Sequence, residues 1–252
     1  MLTNDDGIDA PGMAVLEEIA AQVAREVWVV APEHDQSGQS HAISLHHALR
    51  ISERGNRRFG VTGTPGDCAA VGICHLMKDN LPTLVLSGVN RGLNLGLETV
   101  FSGTVGGAMT AMMLGVPAIA LSQAFSDRRN VPWDTARTLG ADVVRRLWAM
   151  RWGENAVLNV NFPPVPAAEA GEMTLARQGV GMLAGMGVDT RVDPRGMTYH
   201  WLNFRRGDRQ QGPESDYSAL RAGKVVVTPL RYDRTDDEAY ADLSGKLPPF
   251  LD

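Results

Sequence analysis

The sequence predicts an α/β fold built on a mostly parallel sheet, and three observations predict it. Nearly continuous apolar runs occur at Glu26-Val-Trp-Val-Val-Ala31, Thr83-Leu-Val-Leu-Ser-Gly88 and Val116-Pro-Ala-Ile-Ala-Leu-Ser122. Runs of this kind mark strands covered on both faces. Stretches with apolar residues at helical spacing alternate with them, the pattern that parallel crossovers produce. Polar loops rich in glycine follow the runs, where open α/β sheets bind ligands.

The elements follow in order. Met1 to Thr3 is a short strand that breaks into the turn Asn4-Asp-Asp-Gly7. Pro11 to Ala24 reads as an amphipathic helix with Met13, Leu16, Ile19, Ala20 and Val23 on one stripe, and Pro11 suits its first turn. The Glu26 to Ala31 strand should pair in parallel with the first. The loop that follows it, Glu33 to Ser44, carries Gln36-Ser-Gly-Gln-Ser40 and should leave the sheet at the same end as the Asp5-Asp6 turn. Ala48 to Val61 reads as an antiparallel excursion with Arg57 and Arg58 near its turn, and a helix is expected from Cys68 to Met77, with Asp67 as a cap. After the Thr83 strand comes the loop Val89-Asn-Arg-Gly-Leu-Asn-Leu-Gly96, and Ser102-Gly-Thr-Val-Gly-Gly107 opens an apolar helix. The helix from Trp133 to Met150 carries Ala136, Leu139, Val143, Val144 and Leu147 at core spacing, and Ala156 to Asn161 is one more strand.

After Pro166 the pattern changes. Met173 to Phe204 shows short alternating runs broken by glycines, which suits β-hairpins extending from the core. A lone hairpin is marginal in water, so these arms predict a homo-oligomer. Arg205 to Ser218 is a polar loop, Lys224 to Thr228 a strand, and Thr235 to Leu243 a helix. The expected divisions are an α/β catalytic core over 1–165, a β-hairpin oligomerisation arm and loop over 166–222, and a C-terminal strand and helix over 223–252.

Composition narrows the partners. At 252 residues the chain suits one domain with an appendage. A net charge of -5 argues against a large nucleic acid, whose backbone needs clustered Lys and Arg. No apolar run is long enough to span a bilayer and no signal-peptide pattern opens the chain, so no membrane partner and a cytoplasmic location are expected. Cys68 and Cys74 fit no common zinc or redox spacing and read as buried thiols.

The chemistry concentrates in four loops. Neighbouring side chains on a strand point to opposite faces, so Asp5 and Asp6 converge only where the strand ends and Gly7 lets the backbone bend. Two carboxylates there suit a hard cation with oxygen ligands, and taken alone they suit capping equally well. Ser37 and Asn90 add neutral oxygens. Ser102, Gly103 and Thr104 open a helix whose free N–H groups and hydroxyls make an anion site, with a plain helix cap as the equal alternative. All four elements follow a strand or open a helix and collect on one sheet edge, which favours one site holding magnesium or manganese beside an anion. His34 and His41 flank the Ser37 loop and could line the pocket, while His46, His47, His75 and His200 show no ligand spacing, so the inventory suits magnesium or manganese and not zinc.

At this point the residues resemble a known family. Asn4-Asp-Asp-Gly-Ile-Asp-Ala-Pro-Gly12, Val30-Ala-Pro with Ser37-Gly-Gln-Ser40, Gly63-Thr-Pro-Gly-Asp-Cys68, Ser87-Gly-Val-Asn-Arg-Gly-Leu-Asn-Leu-Gly96 and Ser102-Gly-Thr104 are similar to the successive motifs of the SurE survival-protein family. Asp193-Pro-Arg-Gly196, Asp216-Tyr-Ser and Val227-Thr-Pro229 extend the likeness through nearly the whole chain. The resemblance implies a Rossmann-like three-layer sandwich whose C-terminal hairpins are exchanged between subunits in a dimer or tetramer. It implies a phosphatase acting on nucleoside monophosphates, a 5'/3'-nucleotidase, with one divalent cation per subunit, Mg2+ or Mn2+, held at Asp5, Asp6, Ser37 and Asn90. Asp5 and Asp6 would be catalytic, and Asn94, Ser102, Gly103 and Thr104 would bind phosphate or substrate. Two departures stand out: only three residues precede the Asn4 turn, where the family usually has a longer strand, and Gly66 stands where a larger small residue is usual.

Two other classes of protein share parts of this pattern. A receiver-type phosphoacceptor domain would need an Asp at the end of its third strand and a Lys at the end of its fifth, and Ser87-Gly-Val-Asn90 and Leu121-Ser122 stand there instead. A non-catalytic nucleotide-binding module would release no phosphate.

Overall fold

The computed structural model describes residues 1–246. The expected C-terminal segment, 223–252, therefore runs past the described residues at 247–252. Strand β1, Leu2–Thr3, has only two residues and lies between β2, Val29–Pro32, and β5, Val85–Arg91, parallel to both. The antiparallel excursion is β3, Ile51–Gly55, and β4, Arg58–Val61, with β4 parallel to β2. On the other side β5 pairs in parallel with β6, Ala118–Gln123, and β6 with β7, Val157–Phe162. Strands β1, β2, β5, β6 and β7 are almost wholly buried and rich in Val, Ile, Leu and Ala, as a sheet covered on both faces requires.

Helices cover the two faces. Helix α1, Pro11–Ala21, places Pro11 in its first turn and buries Met13, Val15, Leu16, Ile19 and Ala20. Together with α4, Trp133–Met150, it packs on the face that carries Leu2, Val29, Ile119 and Leu158. Helices α2, Pro65–Val71, and α3, Gly103–Met113, cover the opposite face through Cys68, Ala69, Val105, Ala108 and Met109. The result is three layers, helix on sheet on helix. Helix α2 starts three residues before the expected Cys68 because a capping box stands there: the Thr64 hydroxyl accepts from Asp67 N at 3.1 Å and the Asp67 carboxylate accepts from Thr64 N at 2.9 Å. The expected capping role of Asp67 is what the structure shows.

The segment after Pro166 divides differently from the expectation. Strand β8, Gly171–Leu175, contains Met173 yet joins the large sheet, parallel to β11, Lys224–Leu230, which itself pairs antiparallel with β7. The sheet order is β3-β4-β2-β1-β5-β6-β7-β11-β8. The hairpin proper is confined to β9, Leu183–Val192, and β10, Thr198–Arg206, which form a separate two-stranded ribbon. The alternation that suggests a hairpin is shared by any half-exposed strand, so it does not separate β8 from the ribbon. The short helix α5, Asp216–Arg221, precedes β11, and α6, Asp237–Leu243, is capped by Asp236. Of the two cysteines only Cys68 is buried; Cys74 is exposed, because it sits on the outer side of the π-helical turn Gly72–Leu76 that prolongs α2.

Candidate metal and phosphate site

Asp5 and Asp6 lie just past β1, at the carboxyl edge of the sheet, where Gly7 takes φ +105° and turns the chain toward α1. Asp5 is 4 % exposed. Its Oδ1 accepts from the Thr104 hydroxyl at 2.5 Å, which joins the turn to the first turn of α3. Burial pushes its carboxyl up to about 7; the Thr104 hydrogen bond opposes that shift and the neighbouring Asp6 charge adds to it. Asp6 is half-buried and also raised by burial, against the Arg91 backbone N–H that donates to its Oδ2 at 2.9 Å. The pair is thus held from two sides, by α3 and by the end of β5, and among the described residues no cationic side chain is hydrogen-bonded to either carboxylate.

The other expected residues arrive from neighbouring segments. The loop carrying Ser37 is fastened to the turn by Gln36 N, which donates to the Asp5 carbonyl at 2.7 Å. Ser37 itself is exposed, and its N–H donates to Asp35 Oδ1 at 2.8 Å. Asn90 directs its Nδ2 to the Gly92 carbonyl at 3.1 Å, which leaves Oδ1 as its open acceptor. Gly103 lies against Asp5: a Cβ there would stand 2.7 Å from Asp5 Cβ and 2.9 Å from Oδ2, so only glycine lets α3 approach the carboxylate. Ser102 caps α3, its Oγ accepting from Val105 N at 3.1 Å. Its hydroxyl hydrogen remains for an incoming anion.

The donor set fits a divalent cation. A buried carboxylate beside a second one, raised by burial and hydrogen-bonded to the Thr104 hydroxyl and to backbone N–H groups, is stabilised by positive charge, and Asn90 adds an open amide oxygen. Among the described residues no group of three or more His, Cys, Asp or Glu gathers to form a different metal centre.

Asn94 is placed apart from the acidic pair. Its contacts run to the ends of β6 and β7: Asn94 N donates to Asn161 Oδ1 at 2.8 Å, and Asn94 Nδ2 donates to Ser122 Oγ at 2.9 Å. Asn159 and Asn161, fully buried, both donate to the Asn94 carbonyl. Sequence reasoning missed these three supports. The available signal was the polar amides at alternate positions of Val157-Leu-Asn-Val-Asn161, which share one face of an otherwise apolar strand.

The family model described as Survival protein SurE matches residues 1–184. The chain belongs to the SurE family. SurE relatives span its whole length: a protein named 5'-nucleotidase SurE 1 from Burkholderia lata is 59 % identical over 98 % of this chain and 95 % of its own. A 5'-nucleotidase SurE from Nitrobacter winogradskyi is 45 % identical over 98 % of both chains. The crystal structure of the SurE protein from Aquifex aeolicus superposes with a TM-score of 0.82 at 33 % identity, covering 96 % of this chain and 97 % of that one. The SurE fold thus accounts for the three layers.

Proposed function

We propose that the protein is a divalent-metal-dependent phosphomonoesterase that hydrolyses nucleoside monophosphates to nucleoside and phosphate, a 5'/3'-nucleotidase of the cytoplasm. The observation that carries this reading is the buried Asp5 carboxylate, set beside Asp6 and against the N-terminus of α3. Asp5, Asp6, Ser37 and Asn90 would hold one Mg2+ or Mn2+, which when bound supplies Lewis acidity toward a phosphoryl oxygen. The N–H groups that open α3, with the hydroxyls of Ser102 and Thr104, receive the phosphate and stabilise the charge that gathers on it as the ester breaks. Thr104 also orients Asp5 through its hydrogen bond. One carboxylate of the pair, Asp5 or Asp6, would act as base toward an attacking water or as covalent nucleophile. Asn94 contacts the substrate from the neighbouring loop. The β9–β10 ribbon joins subunits into a dimer or tetramer.

The test is phosphate release from a panel of phosphomonoesters that includes AMP and GMP, with magnesium, with manganese and with EDTA. Metal-dependent hydrolysis of the nucleotides is expected, together with an Asp6→Asn variant that folds normally and has lost it. Binding without turnover would make the chain a nucleotide-binding module, and full activity in Asp6→Asn would remove the site from this turn.

A further inference from the structure

The acidic turn does not exhaust the polar groups at this edge of the sheet. Asn90 on β5 stands beside Ser122 on β6, and Ser122 beside Asn161 on β7, in one row across three parallel strands. Ser122 and Asn161 are fully buried. Buried polar groups in the middle of a sheet cost free energy unless hydrogen-bonded, and the two buried members of this row are both bonded to Asn94. Asn161 Oδ1 accepts from Asn94 N at 2.8 Å while its Nδ2 donates to the Asn94 carbonyl at 3.0 Å. One side chain therefore meets both hydrogen-bonding groups of Asn94's main chain. The peptide N–H can only donate and the carbonyl only accept, so the orientation of the Asn161 amide is fixed. Asn159, two residues earlier on the same face, gives the carbonyl a second donor at 2.7 Å, and Ser122 takes the Asn94 side-chain Nδ2 at 2.9 Å. Asn94 is thus held at its N–H, its carbonyl and its side chain by three residues that follow it by 28 to 67 positions.

We propose that Asn161 is a positioning residue for hydrolysis: its amide grips the main chain of Asn94 and so sets the Asn94 side chain against the substrate. The claim rests on the nucleotidase reading above and on Asn94 as a substrate contact. Asn161 acts only through Asn94, and the acidic turn, the Ser37 loop and the end of β5 are held by other bonds. Its loss therefore acts on nucleotide binding and leaves metal binding alone.

A double-mutant cycle tests this, with AMP as substrate and Mn2+ as metal, on wild type, Asn161→Ala, Asn94→Ala and the double variant. In Asn161→Ala, KM for AMP should rise about tenfold with a much smaller change in kcat, and Mn2+ affinity by calorimetry should stay within about twofold. In the Asn94→Ala background, adding Asn161→Ala should change kcat/KM by less than about twofold, because the group it positions is gone. Equal losses in both backgrounds, or loss of Mn2+ binding, would make Asn161 a purely structural anchor and overturn the proposal. An Asn94→Ala variant with wild-type KM would overturn it too, while leaving the nucleotidase reading in place. A wild type that releases no phosphate defeats the nucleotidase reading separately, and the same cycle read as AMP affinity then decides the positioning claim. If Asn161→Ala does not fold, Asn159→Ala removes only one of the two donors to the carbonyl and should show the same pattern in smaller measure.

Discussion

Asp5 is a carboxylate that the fold buries without matching charge, and this has a measurable sign. Its carboxyl sits at about 7 in the folded chain against 3.8 when unperturbed, so the folded state holds a proton that the unfolded state releases. The contribution of this group to stability is fully present below about pH 4 and is lost as pH rises toward about 7. In metal-stripped protein, the thermal midpoint of wild type measured relative to Asp5→Asn should therefore fall over that window. With Mn2+ present the trend reverses, since the cation competes with the proton and binds more tightly as pH rises. A wild-type-to-variant difference that does not change between pH 4 and 7 would show that burial has not raised the group. The position of the acidic pair at the sheet edge was legible in the sequence because an apolar strand breaks there into Asn4-Asp-Asp-Gly7 and three other polar loops follow strands or open helices toward the same edge. Asn161 was not, since its partner Asn94 lies 67 residues away and nothing local marks the contact.

At the level of elements, α1 matters for more than its apolar stripe. Its second residue, Gly12, packs so closely on β5 that a Cβ would stand 1.9 Å from the Val89 carbonyl oxygen. Backbone on both sides leaves no flexible side chain to give way. Gly12→Ala should destabilise the protein by about 1–3 kcal/mol in urea unfolding and also weaken Mn2+ binding, because Val89 precedes Asn90. A stable variant with unchanged metal affinity would uncouple α1 from the site. Helix α4 was legible to its end residues, Trp133 and Met150, because a long amphipathic stripe outweighs local ambiguity. The start of α2 was displaced because an apolar pattern begins at Cys68 while the cap that begins the helix stands at Thr64. Strand β8 was read with the hairpin because only its parallel pairing with β11, made at long range, sets it in the sheet.

For the whole molecule, the ribbon is the part that the core does not account for. Met186, Val188, Leu202 and Phe204 lie on one of its faces and are 52 to 78 % exposed; Phe204 leans on the body, against Phe101 at a centroid distance of 5.3 Å. A two-stranded ribbon with an apolar face is marginal unless covered. Light scattering at micromolar concentration should give at least a dimer, and Val188→Ser with Leu202→Ser should lower the mass; a monomeric wild type would leave the ribbon without that role. The bonds that build the site also span the chain: Thr104 to Asp5 across 99 residues, Arg91 to Asp6 across 85, Asn94 to Asn161 across 67. Contacts of such separation close slowly, after helices and local turns have formed. In a refolding experiment, then, the helical signal returns before the sheet is joined from β1 to β7, and hydrolysis is the readout that marks its closure.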